Sequence, residues 1–390
     1  MRTQSDLAAA IRLVKAQVAV PVTYADVWEF WLRYREIYEA VDFVTIHILP
    51  YWEDFPIRAK FAAAHVDTIR RRMAVAFPAK EILIGETGWP SMGRMRDAAL
   101  PSRTNQARVV SEILDLAKRE NFRVNLIEAY DQPWKRQLEG TVGGYWGLFD
   151  SVQRVVKYPP GIAISNYPYW KLHMAAGLAL SMLVFISAWI ALRRRPWTPR
   201  LVSWIAVGLS ATSGGMLLGI AADKMFYESY GIGGWVFWGA LLAAGIASPL
   251  LCANALMSGR SLPTLLELLG PAGYRDRSWM AGILGLVLAV TAVIGADTAI
   301  GFVFDSRYRD FPFAALTMAV VPLAALTTLN RPKEGSRPVA ETTFACLLAM
   351  SAIYVAFSEG VNNWQSLWTC ATYGLFAATL WRARVAQIPK

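Results

Sequence analysis

The chain has 390 residues, 55% of them hydrophobic, with 16 Trp and a net charge of +10. Such a composition excludes an ordinary soluble protein of this length. The apolar residues are unevenly spread: residues 1–165 mix charged and apolar stretches, whereas 166–390 are long apolar runs joined by short loops. We therefore read a soluble α/β domain followed by a membrane α domain.

The opening MRTQSDLAAAIRLVKAQVAV has apolar residues at helical spacing, broken by Arg12 and Lys15. It predicts an amphipathic helix capped by Thr3 or Ser5 and running through Val18. It reads neither as a signal peptide nor as a membrane span. VAVPVTY (18–24) is a β-rich run, followed by a helix from Asp26 to Ala40. DFVTIHI (42–48) is a second strand and Ile57–Phe77 a second helix. EILIGE (81–86) is a third strand, Arg103–Glu120 a helix, and FRVNLIE (122–128) a fourth strand. Apolar strands alternating with helices imply parallel strands covered by helices. Each strand is followed by polar and aromatic residues: Tyr24 and Trp28, His47 to Trp52, Glu86 to Trp89, Glu128 to Trp134. Chemistry at the C-terminal strand ends is the layout of a (β/α)₈ TIM barrel. No Gly-rich phosphate loop supports a dinucleotide fold. A full barrel takes about 250 residues, so four strands are the C-terminal half of one. We expect the natural domain to extend upstream, which would also supply an export signal.

Seven spans follow: Leu172–Leu192, Leu201–Ala222, Gly231–Ser258, Trp279–Phe304, Phe311–Leu329, Val339–Phe357 and Gln365–Trp381. Each can cross roughly 30 Å of hydrocarbon as a helix, the last marginally. Arg193, Arg194, Arg195, Arg200, Arg260, Arg275, Arg277, Arg331, Lys333, Arg337, Arg382, Arg384 and Lys390 lie on one side. Lys224, Arg307 and Arg309 lie on the other. The positive-inside rule puts the first set in the cytoplasm. The chain is then a multi-pass protein of the cytoplasmic (inner) membrane, in contact with lipid, with its soluble domain outside, periplasmic or extracellular. The basic charge is this topology signal, and no nucleic-acid partner is expected. Cys252, Cys346 and Cys370 fall inside spans as apolar packing residues. Asp297 and Glu341 lie near span ends and are expected to reach the interface. ATSGGMLLG (211–219) suits close helix packing.

Glu86 ends an apolar strand, with Trp89 three residues on. A carboxylate ringed by aromatics suggests glycosidic-bond chemistry, since flat rings fit the C–H faces of sugars and such sites use two carboxylates. The alternative, a structural carboxylate capping the next turn, stays open on local pattern alone.

ILIGETGWPSMG is similar to the nucleophile motif of glycoside hydrolase family seventeen, the 1,3-β-glucanases. HILPYWED resembles that family's strand-six segment, LIEAYDQPWK its strand-eight segment and YWGLFD its closing motif. The resemblance covers residues 18–150. It implies that these are barrel strands five to eight and that Glu86 is the nucleophile of a retaining enzyme. It also implies that Tyr24, Trp28, Tyr51, Trp89, Glu128, Trp134 and Lys135 bind a β-glucan. The family's acid/base Glu, in an Asn-Glu pair ending strand four, has no counterpart here. Little activity is therefore expected of this chain alone, because general acid help is worth roughly 10²–10⁴-fold. Glu53, Asp54, Glu128 or Asp131 could stand in. Hydrolysis and transglycosylation both use Glu86. A glucan export or binding protein without catalysis is the other reading, and a glucan synthase is a possible partner.

His47 can hydrogen-bond the nucleophile or a sugar, or be a core histidine. His65 and His173 read as structural. Three scattered His give no metal-ligand spacing, and neither metal nor cofactor is expected.

Overall fold

The computed structural model describes residues 4–159, 161–194, 199–269, 278–330 and 335–384. Arg195, Arg275, Arg277, Arg331, Lys333 and Lys390, and the cap position Thr3, lie outside them. The chain forms two compact units, Met1–Asn166 and Tyr167–Lys390.

The first unit contains α1 (Gln4–Lys15), β1 (Ala25–Val27), α2 (Trp28–Arg33), α3 (Glu36–Ala40), β2 (Val44–His47), α4 (Ala59–Ala76), β3 (Ile82–Thr87), α5 (Arg103–Glu120), β4 (Val124–Leu126) and α6 (Arg136–Gly143). The strands form one parallel sheet in the order β1-β2-β3-β4. Chain order and spatial order coincide, as expected when each strand returns through a covering helix. α4 buries Ala59, Ala62, Val66, Ile69 and Met73, spaced by three or four residues along one face. α5 opens at Ser102, whose hydroxyl accepts from the Asn105 amide at 3.1 Å, and closes at Asn121 in the left-handed region, φ 51°. Asp67, Arg70, Arg71 and Glu120 join α4 to α5 in a charged network.

The first strand differs from its expected place. Residues 18–24 are not in the ladder, which starts at Ala25. Pro21 has no N–H to give a sheet, and beside it side chains supplement a backbone bond from the Asp42 amide to the Val22 carbonyl at 2.8 Å. The Val22 amide donates to Asp42 Oδ2 at 2.7 Å, and Thr23 Oγ1 donates to the Phe43 carbonyl at 2.7 Å. The helix expected over 26–40 breaks at Tyr34 into α2 and α3. Trp31 on α2 is fully buried and donates from Nε1 to the Thr45 carbonyl at 2.8 Å, fixing α2 across β2.

The second unit is helical: α7 (Trp170–Arg193), α8 (Leu201–Glu228), α9 (Gly231–Met257), α10 (Leu265–Leu269), α11 (Trp279–Phe304), α12 (Phe313–Leu329), α13 (Val339–Glu359) and α14 (Trp364–Trp381). Five of them, α7, α8, α9, α11 and α13, are long and apolar enough to cross a membrane. α12 has 17 residues and is buried along most of its length between α8, α9 and α14.

Polar groups tie this unit together. Ser181 Oγ donates to the Ala211 carbonyl at 3.0 Å, Ser248 Oγ to that of Ala319 at 2.6 Å, and Tyr373 OH to Thr298 Oγ1 at 2.7 Å. Cys252 and Cys370 are buried, whereas Cys346 is on an exposed face. Asp297 lies on an exposed face of α11. Glu341 does not reach an interface: it is 0% exposed, and its Oε1 accepts from the Leu265 amide at 2.6 Å. The opening turn of α10 needs acceptors for its amides. That need, together with Thr264 and Glu267 capping each other, explains the buried carboxylate.

α7 and α8 meet backbone to backbone. A side-chain carbon on Gly177 would lie 2.1 Å from the Gly215 carbonyl oxygen. Gly177→Leu is expected to destabilise the detergent-solubilised protein by roughly 1–3 kcal/mol through overpacking. An unchanged thermal unfolding midpoint would show that the two helices are not held at this distance.

Candidate functional site

The site forms where β2 and β3 end. Ile46 pairs with Ile84, but His47 pairs with Glu86, so the register skips Gly85. This bulge turns Glu86 to the side taken by His47. The Asn125 side-chain amide donates to the Gly85 carbonyl at 2.9 Å, and the Ile48 amide to the Glu86 carbonyl at 2.9 Å. Any side chain at 85 would force its neighbours to move. A side-chain carbon there would lie 2.4 Å from Thr45 Cγ2 and 3.3 Å from the His47 ring.

The resulting pair is close: His47 Nδ1 lies 3.3 Å from Glu86 Oε2. The Glu86 side chain is 39% exposed and that of His47 20%, so the carboxylate is open and the imidazole largely covered. His47 also lines a cleft of about 570 Å³ with Asp26, Trp28, Glu29, Tyr34, Trp52, Glu53 and others. Burial raises the Glu29 carboxyl, and the negative charges of Glu53 and Asp54 add to it. His65 Nε2 sits 3.0 Å from Glu53 Oε1, which gives that expected structural histidine a partner.

The other expected site residues fall into two groups. Trp28 lines the cleft, with the Arg72 guanidinium 5.1 Å from its ring centre. Tyr24 donates from its hydroxyl to Asp26 Oδ2 at 2.7 Å; burial and that hydrogen bond push the phenol up to about 12. Trp134 is 61% exposed on a 3₁₀ turn after β4, with the Lys135 ammonium 5.8 Å from its ring centre. Lys135, from the same turn, bonds Glu128 Oε1, while Glu128 Oε2 is buried with no hydrogen-bond partner among the described residues. Tyr51 and Trp89, by contrast, are 0% exposed and show no ring face to a ligand. Tyr51 donates to the Arg94 carbonyl at 2.9 Å, and Trp89 Nε1 to that of Leu100 at 3.2 Å. Together with Trp146 they pack edge to face as a floor.

Sequence reasoning missed Glu29, Arg33 and Tyr34 of the cleft. Setting the first strand several residues early put them on a long outer helix. It also missed Lys157, whose ammonium bonds Asp131 Oδ1 at 2.6 Å and Ser91 Oγ at 2.9 Å. The Gly147 amide donates to the same Asp131 oxygen at 3.0 Å. This cluster ties together the loops after β3 and β4. Burial pushes Asp131 up to about 6 despite the pull of Lys157, and pulls Lys157 below its usual range. Among the described residues, no group of three or more His, Cys, Asp or Glu is placed to hold a metal ion.

Residues 1–147 match the family model of the BtgE/BtgC glycoside hydrolase domain. A glucan 1,3-β-glucosidase of Candida albicans is 27% identical over 177 residues, 40% of this chain and 57% of that protein. One from Saccharomyces cerevisiae is 29% identical over 122 residues, 30% of this chain and 39% of that protein. The family 17 β-1,3-glucanosyltransferase structure from Rhizomucor miehei is 27% identical, covering 42% of this chain and 58% of that one, with a TM-score of 0.37. The chain spans between 33% and 57% of the length of curated relatives that it matches.

Lys157→Met should cost about 3–5 kcal/mol, because it strands the buried Asp131 charge. Adding Asp131→Asn should recover part of that loss. Thermal unfolding followed by tryptophan fluorescence checks both. A single variant as stable as wild type would show that the pair is not what holds the loops.

Proposed function

We propose that the first unit is the C-terminal half of a (β/α)₈ barrel of the 1,3-β-glucanase type and that Glu86 is its nucleophile. The observation that carries this reading is Glu86 itself. It is an open carboxylate at the C-terminal end of a parallel strand, beside a cleft with aromatic walls. The match of residues 1–147 to a glycoside hydrolase domain supports it. In the reaction one Glu86 oxygen bonds the anomeric carbon. The glycosidic bond breaks with its electron pair on the leaving oxygen, which takes a proton from a general acid. Water, or a sugar hydroxyl, then attacks the same carbon and frees the carboxylate, with overall retention. Trp28, Trp134, Tyr24 and the Glu128–Lys135 pair would contact the sugars; Tyr51 and Trp89 would act by holding the rim from below.

Transfer is the second outcome of the same intermediate. Trp28, Tyr34 and Trp52 offer stacking surface on the side of His47, where an acceptor sugar could displace water. A glucan-synthesising partner would fit that outcome.

For the second unit we propose seven membrane spans, with α12 largely buried among its neighbours and α14 crossing with one face exposed. The basic ends Arg193, Arg194, Arg200, Arg260, Arg337, Arg382 and Arg384 would face the cytoplasm and the glucan-active unit the outside.

The test uses the full chain in detergent and a dinitrophenyl β-glucan disaccharide, whose leaving group departs without a proton. Release of dinitrophenolate is expected, with retention. Glu86→Gln should lower it by about 10³-fold or more, leaving the unfolding midpoint unchanged. Equal rates in the two proteins would refute Glu86 as the nucleophile. On a linear 1,3-β-glucan, longer or branched products would identify transfer.

A further inference from the structure

Glu86 has two oxygens, and only one can attack. His47 Nδ1 is 3.3 Å from Oε2. At that distance the two form a close contact without hydrogen-bond alignment, and contacts to catalytic groups are often poorly aligned before substrate binds. The approach is built into the backbone. The bulge at Gly85 puts the two residues opposite each other, and Thr45 Cγ2 takes the space beside Gly85, with the imidazole edge bordering it. The side chain of His47 is 20% exposed, so it is largely covered where it meets Glu86.

We propose that His47 is a positioning residue for the nucleophile: its Nδ1–H holds Oε2 and so commits Oε1 to attack. This rests on the reading of Glu86 given above. The Oε1–C1 bond forms as the C1–O bond breaks, and Oε2 becomes the carbonyl oxygen of the glycosyl ester. Nδ1–H stays on that oxygen throughout, first as partner of a carboxylate and then of an ester carbonyl. The requirement is for a donor at the Nδ1 position, not for a charge. Asparagine places an amide N–H near where Nδ1 lies; glutamine places one near Nε2.

The experiment traps the covalent intermediate with a 2-deoxy-2-fluoro dinitrophenyl β-glucoside on the full chain in detergent. The added mass is located by peptide mapping, and the labelling rate constant is separated from the inhibitor's dissociation constant. Wild type should be labelled at Glu86. His47→Gln should label about 10–100-fold more slowly, with the dissociation constant unchanged. His47→Asn should recover most of the rate. A merely structural histidine would not separate the two amides, and unfolding midpoints show whether each variant folds. If His47→Gln misfolds, His47→Ala replaces it, with the same slowing expected. Equal labelling of wild type and His47→Gln overturns the proposal. So does a loss confined to the dissociation constant, which would assign His47 to sugar binding. Absence of label on Glu86 in wild type defeats the reading of Glu86 instead.

Discussion

The register between β2 and β3 is the constraint on which the site depends. Regular parallel pairing would set His47 opposite Gly85, and the carboxylate would turn to the other face of the sheet. The skipped residue reverses this. Three local features hold it: the Asn125 amide on the Gly85 carbonyl, the Ile48 amide on that of Glu86, and Thr45 against the empty side of Gly85. Each is a reason why the strand reads Ile-Gly-Glu and not a run of branched residues.

Below that point the first unit is organised for rigidity at one end. Tyr51, Trp89 and Trp146 form an aromatic floor, and the Asp131–Lys157 pair ties the loops above it. Rings packed edge to face tolerate little movement. They hold the strand ends while Glu86 and Trp134 stay open. Burial thus divides the aromatic residues near the rim into a packed set and an exposed one.

Much of this was readable from residue order. The α5 boundaries agree with the sequence because Ser102 and Asn121 are strong local signals. The four parallel strands were visible as apolar runs between helices. The start of β1 was not, since a Pro-interrupted β-rich segment looks alike whether paired by backbone or by side chains. The bulge was equally hidden: alternation gives a period of two and cannot show where one residue is passed over. The roles of Tyr51 and Trp134 could not be told apart either, because burial is decided by partners far along the chain. Glu341 was misplaced for a similar reason. Its nearness to a helix end suggested the interface, but its partner, the Leu265 amide, lies 76 residues away.

That last contact bears on the order of assembly. The Thr264–Glu267 pair is available as soon as α10 is made, but the Leu265 amide finds its acceptor only once α13 has been synthesised and seated. α11 and α12 are translated in between. The short helix therefore matures late, and its first turn is a local record of whether the downstream segments have arrived in place.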